Sequence, residues 1–551
     1  MRTAPIPYAA ELVYCRELVR RSGAAALLER GIRRHAQGLH RSVSAEGWLT
    51  LITCTLSVYG SSRPRDLHRV LNQLLGQDGC AWLGLLDRDG APPSLERLRY
   101  MTRIVEERLG FDALRPSGGA SVSAQERLHR ERRVRDIVNA LVVGWIPAGL
   151  PLGDLIVFDA TAHETPARPL SGDLRRQLLA EESTDLLLRS EQSLPAEDRR
   201  RLQRQRSHRA LGGRWGHATP TNAQPKETIG GLHLHTSVVG VTRPGADPPP
   251  SIIPALYVTA AAGYSAAQIL TDMLARIERR FPGTYTVGAD RDYSKSVDLF
   301  GRLRARGQPF VLDLRADQLE GRGAHRGGLL FQGNVLCPAT PEHLRNPGPR
   351  PAAREQGQPN PAKAIWDGRV VEQSRYRAHI RSVRHDGVNV ACPALSPSPT
   401  VQCPLRGPVN GRRKLPVVVD PPGAGRHAIC TQKTIFVPDE VNPLRQSMPW
   451  GRADWDRSYG RARAAIEGVH GELKHADGRQ LQRWVTSTTF VSVISIVIGL
   501  DVALLNLQHI RAWVETHRDT DPFARQLSGD ILFAPPEQAH EWLQQQLAAP
   551  N

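Results

Sequence analysis

Asp154-Leu-Ile-Val-Phe-Asp159-Ala-Thr161-Ala-His163 is where the texture of this chain changes. Four consecutive apolar residues closed by a carboxylate read as a buried strand with an acid at its C-terminal edge, followed by a polar loop at Thr161–His163. Downstream, Gly231–Val241 and Ile252–Thr259 read as two further strands. Ser265–Arg280 places Ile269, Met273, Leu274 and Ile277 at helical spacing, and Thr284–Gly288 reads as a fourth strand leading to Asp290. A helix around Ser296–Arg306 and a strand at Phe310–Leu314 complete the order β-β-β-α-β-α-β. The expected core, residues 151–314, is therefore an α/β unit with a mixed sheet and flanking helices, and a charged helical insertion is expected at 171–209.

Upstream, residues 1–150 read as all-α. Glu46–Tyr59, Arg65–Leu75, Ser94–Leu109 and Ala124–Val143 each carry apolar residues three and four apart. With 22 Arg against 15 acidic residues, this region is open to two readings, recognition of DNA ends or dimerisation. Residues 315–448 are rich in Pro, Gly and Arg and read as an irregular β-containing insertion, with strand-like pieces at Gly368–Val371, Lys414–Val419 and Lys433–Val437. Residues 449–515 return to two long helices, Trp455–His475 and Val485–Val514, and 516–551 read as a polar tail. The apolar run Phe490–Leu505 is interrupted by Asp501 and is short for a bilayer, so it reads as a buried helix and no membrane partner is expected.

Composition narrows the function classes. Of 551 residues, 40% are hydrophobic and 23% charged, which suits a folded chain rather than a disordered one. A formal charge of +17 favours a polyanionic partner, because each neutralised phosphate releases a condensed counterion. Seven cysteines without disulfide-like spacing, and no apolar core in Met1–Ala10, lead to the expectation of a reducing, cytoplasmic, nucleoid-associated setting. There is no glycine-rich loop of the ATP-binding kind.

The most specific chemistry lies in Ser458-Tyr-Gly-Arg-Ala-Arg463-Ala-Ala-Ile-Glu467-Gly-Val-His-Gly-Glu-Leu-Lys474. On a helix, Tyr459, Arg463, Glu467, His470 and Lys474 share one face, and Ala462, Ile466, Val469 and Leu473 supply an adjacent apolar one. Phosphodiester cleavage by two divalent cations needs carboxylates from separate elements brought together. Asp159, Asp290 and Glu467 occupy two strand ends and one helix. Asp292 competes with Asp290 but stands further from its strand; Glu472 competes with Glu467 but faces away from the polar stripe.

These residues resemble a known family, the insertion-sequence DDE transposases that carry a Tyr-Arg-Glu-Lys signature around the third acid on a ribonuclease-H-like core. Arg463, Glu467 and Lys474 match the spacing of that signature, whereas Tyr459 stands one residue too far from Arg463. Ala289-Asp290-Arg291-Asp292-Tyr293 resembles the family's Asp-x-x-Tyr, and Val157-Phe158-Asp159-Ala160-Thr161 its Asp-x-Thr strand end. The resemblance spans roughly residues 150–515. It implies a cut-and-paste transposase with Asp159, Asp290 and Glu467 as catalytic Mg²⁺ (or Mn²⁺) ligands, and Tyr459, Arg463, Lys474 and Tyr293 as DNA contacts. The partners it implies are terminal inverted repeats and target DNA, engaged by a homodimer. Three other readings stay open: a nuclease of the same fold, a DNA-binding protein that has lost catalysis, and a zinc-dependent RNA-binding protein.

Cys337, Cys392, Cys403 and Cys430 all fall in the insertion and are candidates for a structural Zn²⁺, with His325, His385 and His427 as substitutes, although no Cys-x-x-Cys pair occurs. Trp366, Trp450 and Trp455 precede the polar helix and read as packing residues, with base stacking as the alternative. His163 reads as loop surface.

Overall fold

In a computed structural model the described residues are 8–548, apart from 33–42, 87–89, 112–122, 167, 170–208, 211–213, 219–226, 244, 262–263, 352–359, 396–397, 408–414, 422, 424–426, 475–478, 480 and 482–484. The expected helical insertion at 171–209 thus falls almost wholly outside the described residues.

Five strands form the centre: β1 Leu155–Glu164, β2 Glu227–Gly240, β3 Leu256–Ala260, β4 Thr286–Ala289 and β5 Phe310–Leu312. They line up as β3-β2-β1-β4-β5, and the strand Arg214–Ala218 pairs the far end of β2 to make a sixth. β1 is antiparallel to β2, with Asp159 opposite Thr236, and parallel to β4, with Phe158 opposite Ala289. The parallel half reads as unbroken apolar runs because both of its faces are buried. Leu155–Phe158 and Phe310–Leu312 are buried throughout. The molecule is a mixed α/β protein with a mixed sheet; the five expected strands and two expected helices of 155–312 occur in the expected order, with the strands Arg168–Pro169, Arg209–Ala210 and Arg214–Ala218 and the short helix Arg291–Ser294 added between them.

The longer N-terminal helices are α1 Ala9–Ser22, α2 Ala24–Ile32, α3 Ala45–Tyr59, α4 Leu95–Leu109 and α5 Ala124–Val143, with the short helical pieces Pro64–Arg69, Val70–Leu75 and Gly76–Trp82 between α3 and α4. Ser44, Ser94 and Ser123 cap α3, α4 and α5 by accepting the backbone N–H of Gly47, Arg97 and Glu126, which satisfies a donor that the first turn leaves orphaned. α6 Ala266–Arg280 and α7 Val297–Ala305 connect the later strands, α8 is Ala453–Lys474 and α9 is Val491–His517.

α9 is the one helix among the described residues long and apolar enough to cross a membrane, and 94% of its apolar window is buried inside the protein. Its polar residues are internal fasteners. Asn506 accepts from Ile253 N–H and donates to the carbonyls of Ile253 and Val142, tying helix, sheet and α5 together. Asp501, fully buried, is held by the Arg479 guanidinium at 2.8 Å, and burial still raises its pKa. One apolar core runs from the N-terminal helices through the sheet to the C-terminus, whereas the insertion has two small cores of its own.

Two expectations are corrected. Gly368–Val371 is not a strand but part of a helix, Pro361–Arg375, which starts on the Asn360 side-chain cap with Pro361 in its first turn; local capping outweighed the β-branched pair Val370-Val371. Lys414–Val419 forms no strand among its described residues, only an isolated bridge from Val417 to Gln402. The polar C-terminal tail carries two helices, Pro522–Ser528 and Pro536–Ala548, fixed to the N-terminal bundle by the Arg21–Asp530 ion pair, the Tyr14 hydroxyl donating to Ala534 O, and the edge contact of Trp82 with Trp542. The insertion instead carries two three-stranded sheets, Gly321–His325 with Gly328–Phe331 and Asn334–Leu336, and His379–Arg384 with Gly387–Ala391 and Ile435–Pro438.

Candidate active site

Because Phe158 pairs with Ala289 across the parallel strands, the next residues, Asp159 and Asp290, emerge side by side. Asp159 accepts the Ala160 N–H at 2.8 Å, and Asp290 caps the short helix Arg291–Ser294 by accepting from Asp292 N–H. Burial, then the repulsion of Asp290, pushes Asp159 up to about 8, and burial raises Asp290 as well. Two like charges in a half-dry place cannot both be held without a compensating cation.

α8 supplies one. Gly288 in β4 allows the helix to come close, since a Cβ there would stand 3.2 Å from the Cβ of Ala462. The next residue, Arg463, then reaches all three acids: its guanidinium lies 3.5 Å from Asp159 Oδ2, 4.0 Å from Asp290 Oδ2 and 2.5 Å from Glu467 Oε1. Glu467 is the outermost, with its side chain 52% exposed. One turn on, His470 Nε2 meets the Thr236 hydroxyl at 2.6 Å and its Nδ1 stands 4.0 Å from Asp159 Oδ2. Burial, then the charges of Lys474 and Arg463, lower His470 to about 3, so this imidazole is neutral.

The competing acids turn elsewhere. Asp292 accepts from the Tyr264 hydroxyl, and Glu472 contacts His509 Nε2 on α9. Both tyrosines expected to touch DNA are buried. Tyr293 pairs its hydroxyl with His235 Nδ1 at 2.9 Å, and Tyr459 stacks on Trp455 at 5.0 Å between centroids. Trp366, Trp450 and Trp455 form a buried edge-to-face and tilted row ending on that stack, which places all three in packing roles in the free chain. His163 is not loop surface: β1 extends through it and it is 3% exposed.

Sequence reading missed the contribution of β2. In Leu232-His233-Leu234-His235-Thr236 the residues alternate faces. Thr236 faces α8, while His233 and His235 join Tyr264 and Tyr293 on the opposite side. The period-two His-x-His was the available signal.

The residues that would hold a divalent cation are Asp159, Asp290 and Glu467, and the raised carboxyl pair fits a site that accepts positive charge. Arg463 occupies the space between the pair and Glu467, and among the described residues no three His, Cys, Asp or Glu side chains are gathered as a metal site. The four insertion cysteines are buried and free, divided between the two small cores, yet near enough for neighbouring thiols to help raise Cys337 and Cys430. Compared with known proteins, the chain matches no family model, no curated protein and no solved structure.

Proposed function

We propose that this chain is a DNA transposase that cleaves at element ends and joins the freed 3′ ends to target DNA, acting in the cytoplasm on nucleoid DNA as a homodimer. The observation that carries the reading is the adjacent pair Asp159 and Asp290 beneath a helix whose Arg463 touches both of them and Glu467. The sheet order β3-β2-β1-β4-β5, antiparallel on one side of β1 and parallel on the other, supports assigning the core to the ribonuclease-H-like class.

Bound Mg²⁺ or Mn²⁺ would supply Lewis acidity and an activated nucleophile. The chain's own residues do the rest. Asp159 and Asp290 present the two carboxylates, and Glu467, exposed and among the described residues tethered only to Arg463, can swing to a third position. Arg463 then exchanges carboxylate contacts for a phosphate oxygen, for which its planar fork is suited. His470, neutral and fastened to Thr236, fills the space beside Asp159 without adding charge.

A second reading, a DNA-binding protein without catalysis, is favoured by one observation: Arg463 already neutralises the acids in the free chain. Metal-dependent nicking of DNA carrying the flanking inverted repeats separates the two. A structural zinc on Cys337, Cys392, Cys403 and Cys430 is an independent proposal, resting on four buried thiols in a region whose two apolar cores are small.

A further inference from the structure

α3 ends at Gly60, whose left-handed φ of 59° lets its N–H turn back to Leu56 O, and after a short turn the chain enters a second helix on Pro64. Pro64–Arg69 and Val70–Leu75 run on as one helix, residues 64–75, which stops where Gly76 takes a φ of 61°. Leu67, Val70, Leu71 and Leu75 are buried in the main core, and Arg65, His68, Arg69, Asn72 and Gln73 are exposed on the other side. Helix, glycine-containing turn and helix make a helix–turn–helix. From Val70 onward the winding is π rather than α, a departure that is concentrated at functional sites.

The outward side is uniform in chemistry. Within residues 57–77 the sole acid, Asp66, is buried and held by the Ser61 hydroxyl at 2.8 Å, and none of the large apolar side chains that are exposed falls on this helix. Two guanidiniums, an imidazole and two carboxamides fit the phosphates and base edges of the DNA major groove, which is wide enough for a helix. They do not fit a second protein chain, whose seam needs an apolar centre. Two of these side chains are preset. Arg69 lies over the Tyr59 ring at 5.5 Å, and Asn72 Nδ2 donates to His68 O at 2.8 Å, which leaves Oδ1 without a partner among the described residues. Arg65 has 79% of its side chain exposed and only Asp66, at 3.8 Å, to hold it. The unit is also tied to the segment that follows α8. Ser62 donates its N–H at 2.6 Å and its hydroxyl at 2.9 Å to Val485 O, and Arg479 donates to Leu56 O at the end of α3.

Resting on the transposase reading, we infer that residues 64–75 are the recognition helix of a helix–turn–helix, which reads the terminal repeats in the major groove of duplex DNA. Arg69 and Asn72 meet base edges, the guanidinium matching O6 and N7 of guanine and the carboxamide N6 and N7 of adenine. Arg65, in the first turn and loosely held, meets a backbone phosphate. The tie from Ser62 to Val485 then fixes the sequence that is read relative to the helix that carries Arg463 and Glu467.

The test uses the full-length protein, a duplex carrying the inverted repeats that flank its gene, and a duplex of the same composition with the repeat scrambled. The wild type should prefer the repeat by about a thousandfold. Asn72→Ala should bind the repeat about tenfold more weakly and the scrambled duplex unchanged, and should melt with the wild type because the side chain is exposed. Adenines of the repeat are then replaced singly by 7-deazaadenine, which lacks the N7 acceptor. One position should cost the wild type about tenfold and Asn72→Ala nothing. Arg65→Ala should weaken both duplexes alike and make the salt dependence shallower by about one counterion. Asn72→Ala and Arg69→Ala proteins that keep the wild-type preference overturn the recognition helix and leave the transposase reading intact. So do variants that lose self-association while binding DNA as the wild type does, since a second copy of the chain then occupies this face. A wild type that binds the two duplexes alike but nicks the repeat in Mg²⁺ overturns the helix alone, and one that binds neither overturns both.

Discussion

Replacing Asp159 with Asn should make the metal-free protein more stable and flatten its response to pH. In the folded chain the Asp159 carboxyl is raised to about 8 from an ordinary 3.8, first by burial and then by Asp290. A folded-state pKa above the unfolded one means that the folded protein holds a proton which the unfolded chain releases. The group's contribution is therefore fully present below pH ~4, is lost as pH rises from ~4 towards 8, and is flat above. Roughly four pH units at ~1.4 kcal/mol each set a ceiling of about 6 kcal/mol. Because the shift belongs to the Asp159–Asp290 pair rather than to one carboxyl, the single variant should recover only part of that ceiling, about 2 kcal/mol at pH 8. An Asn Oδ1 can still accept the Ala160 N–H that Asp159 accepts. Denaturant unfolding in EDTA at pH 5 and pH 8 measures this: the wild type should be weaker at pH 8, and Asp159→Asn should gain there and little at pH 5. Mg²⁺ should restore the wild type at pH 8 and not the variant. An Asn protein less stable at pH 8, with the wild-type pH slope, would refute the argument.

Other outcomes follow from the same structure. Arg479→Ala leaves the fully buried Asp501 without its cation and should cost about 3–5 kcal/mol in unfolding free energy, most of it recovered by adding Asp501→Asn. Arg463→Ala should weaken binding to repeat-bearing DNA and reduce its salt slope by about one counterion, read by titration at several salt concentrations. Elemental analysis should find one zinc per chain, lost when Cys337 and Cys392 are replaced together; a zinc-free folded protein removes the metal from the insertion and leaves the acid site untouched.

The core was legible because its signals were of one kind: apolar runs such as Leu155–Phe158 and a strongly periodic helix such as Ala266–Arg280, each matching its tertiary environment. The neighbourhood of Asp159 and Asp290 followed from strand ends alone. Sequence did not reveal what tertiary contacts decide. Val370 and Val371 look β-like, yet the Asn360 cap and Pro361 commit them to a helix. The C-terminal segment looks polar because only a few residues, such as Ala539 and Leu543, are buried against the bundle. The stripe on α8 was visible, but not that Tyr459 turns inward onto Trp455 while Arg463 gathers the acids. His163 was assigned to a loop because a strand ending in an acid reads as ending there, whereas pairing with β2 carries it through to Glu164.

The central claim, that Asp159, Asp290 and Glu467 cut DNA with the help of a divalent cation, is tested most directly by nicking of a duplex carrying the flanking inverted repeats, with binding followed on the same DNA. The wild type should nick it in Mg²⁺ and not in EDTA. Glu467→Gln, which keeps size and hydrogen bonding but loses the charge, should bind as well as the wild type and nick several orders of magnitude more slowly. A wild type that binds and never nicks, or a Glu467→Gln protein that nicks at the wild-type rate, would contradict the account.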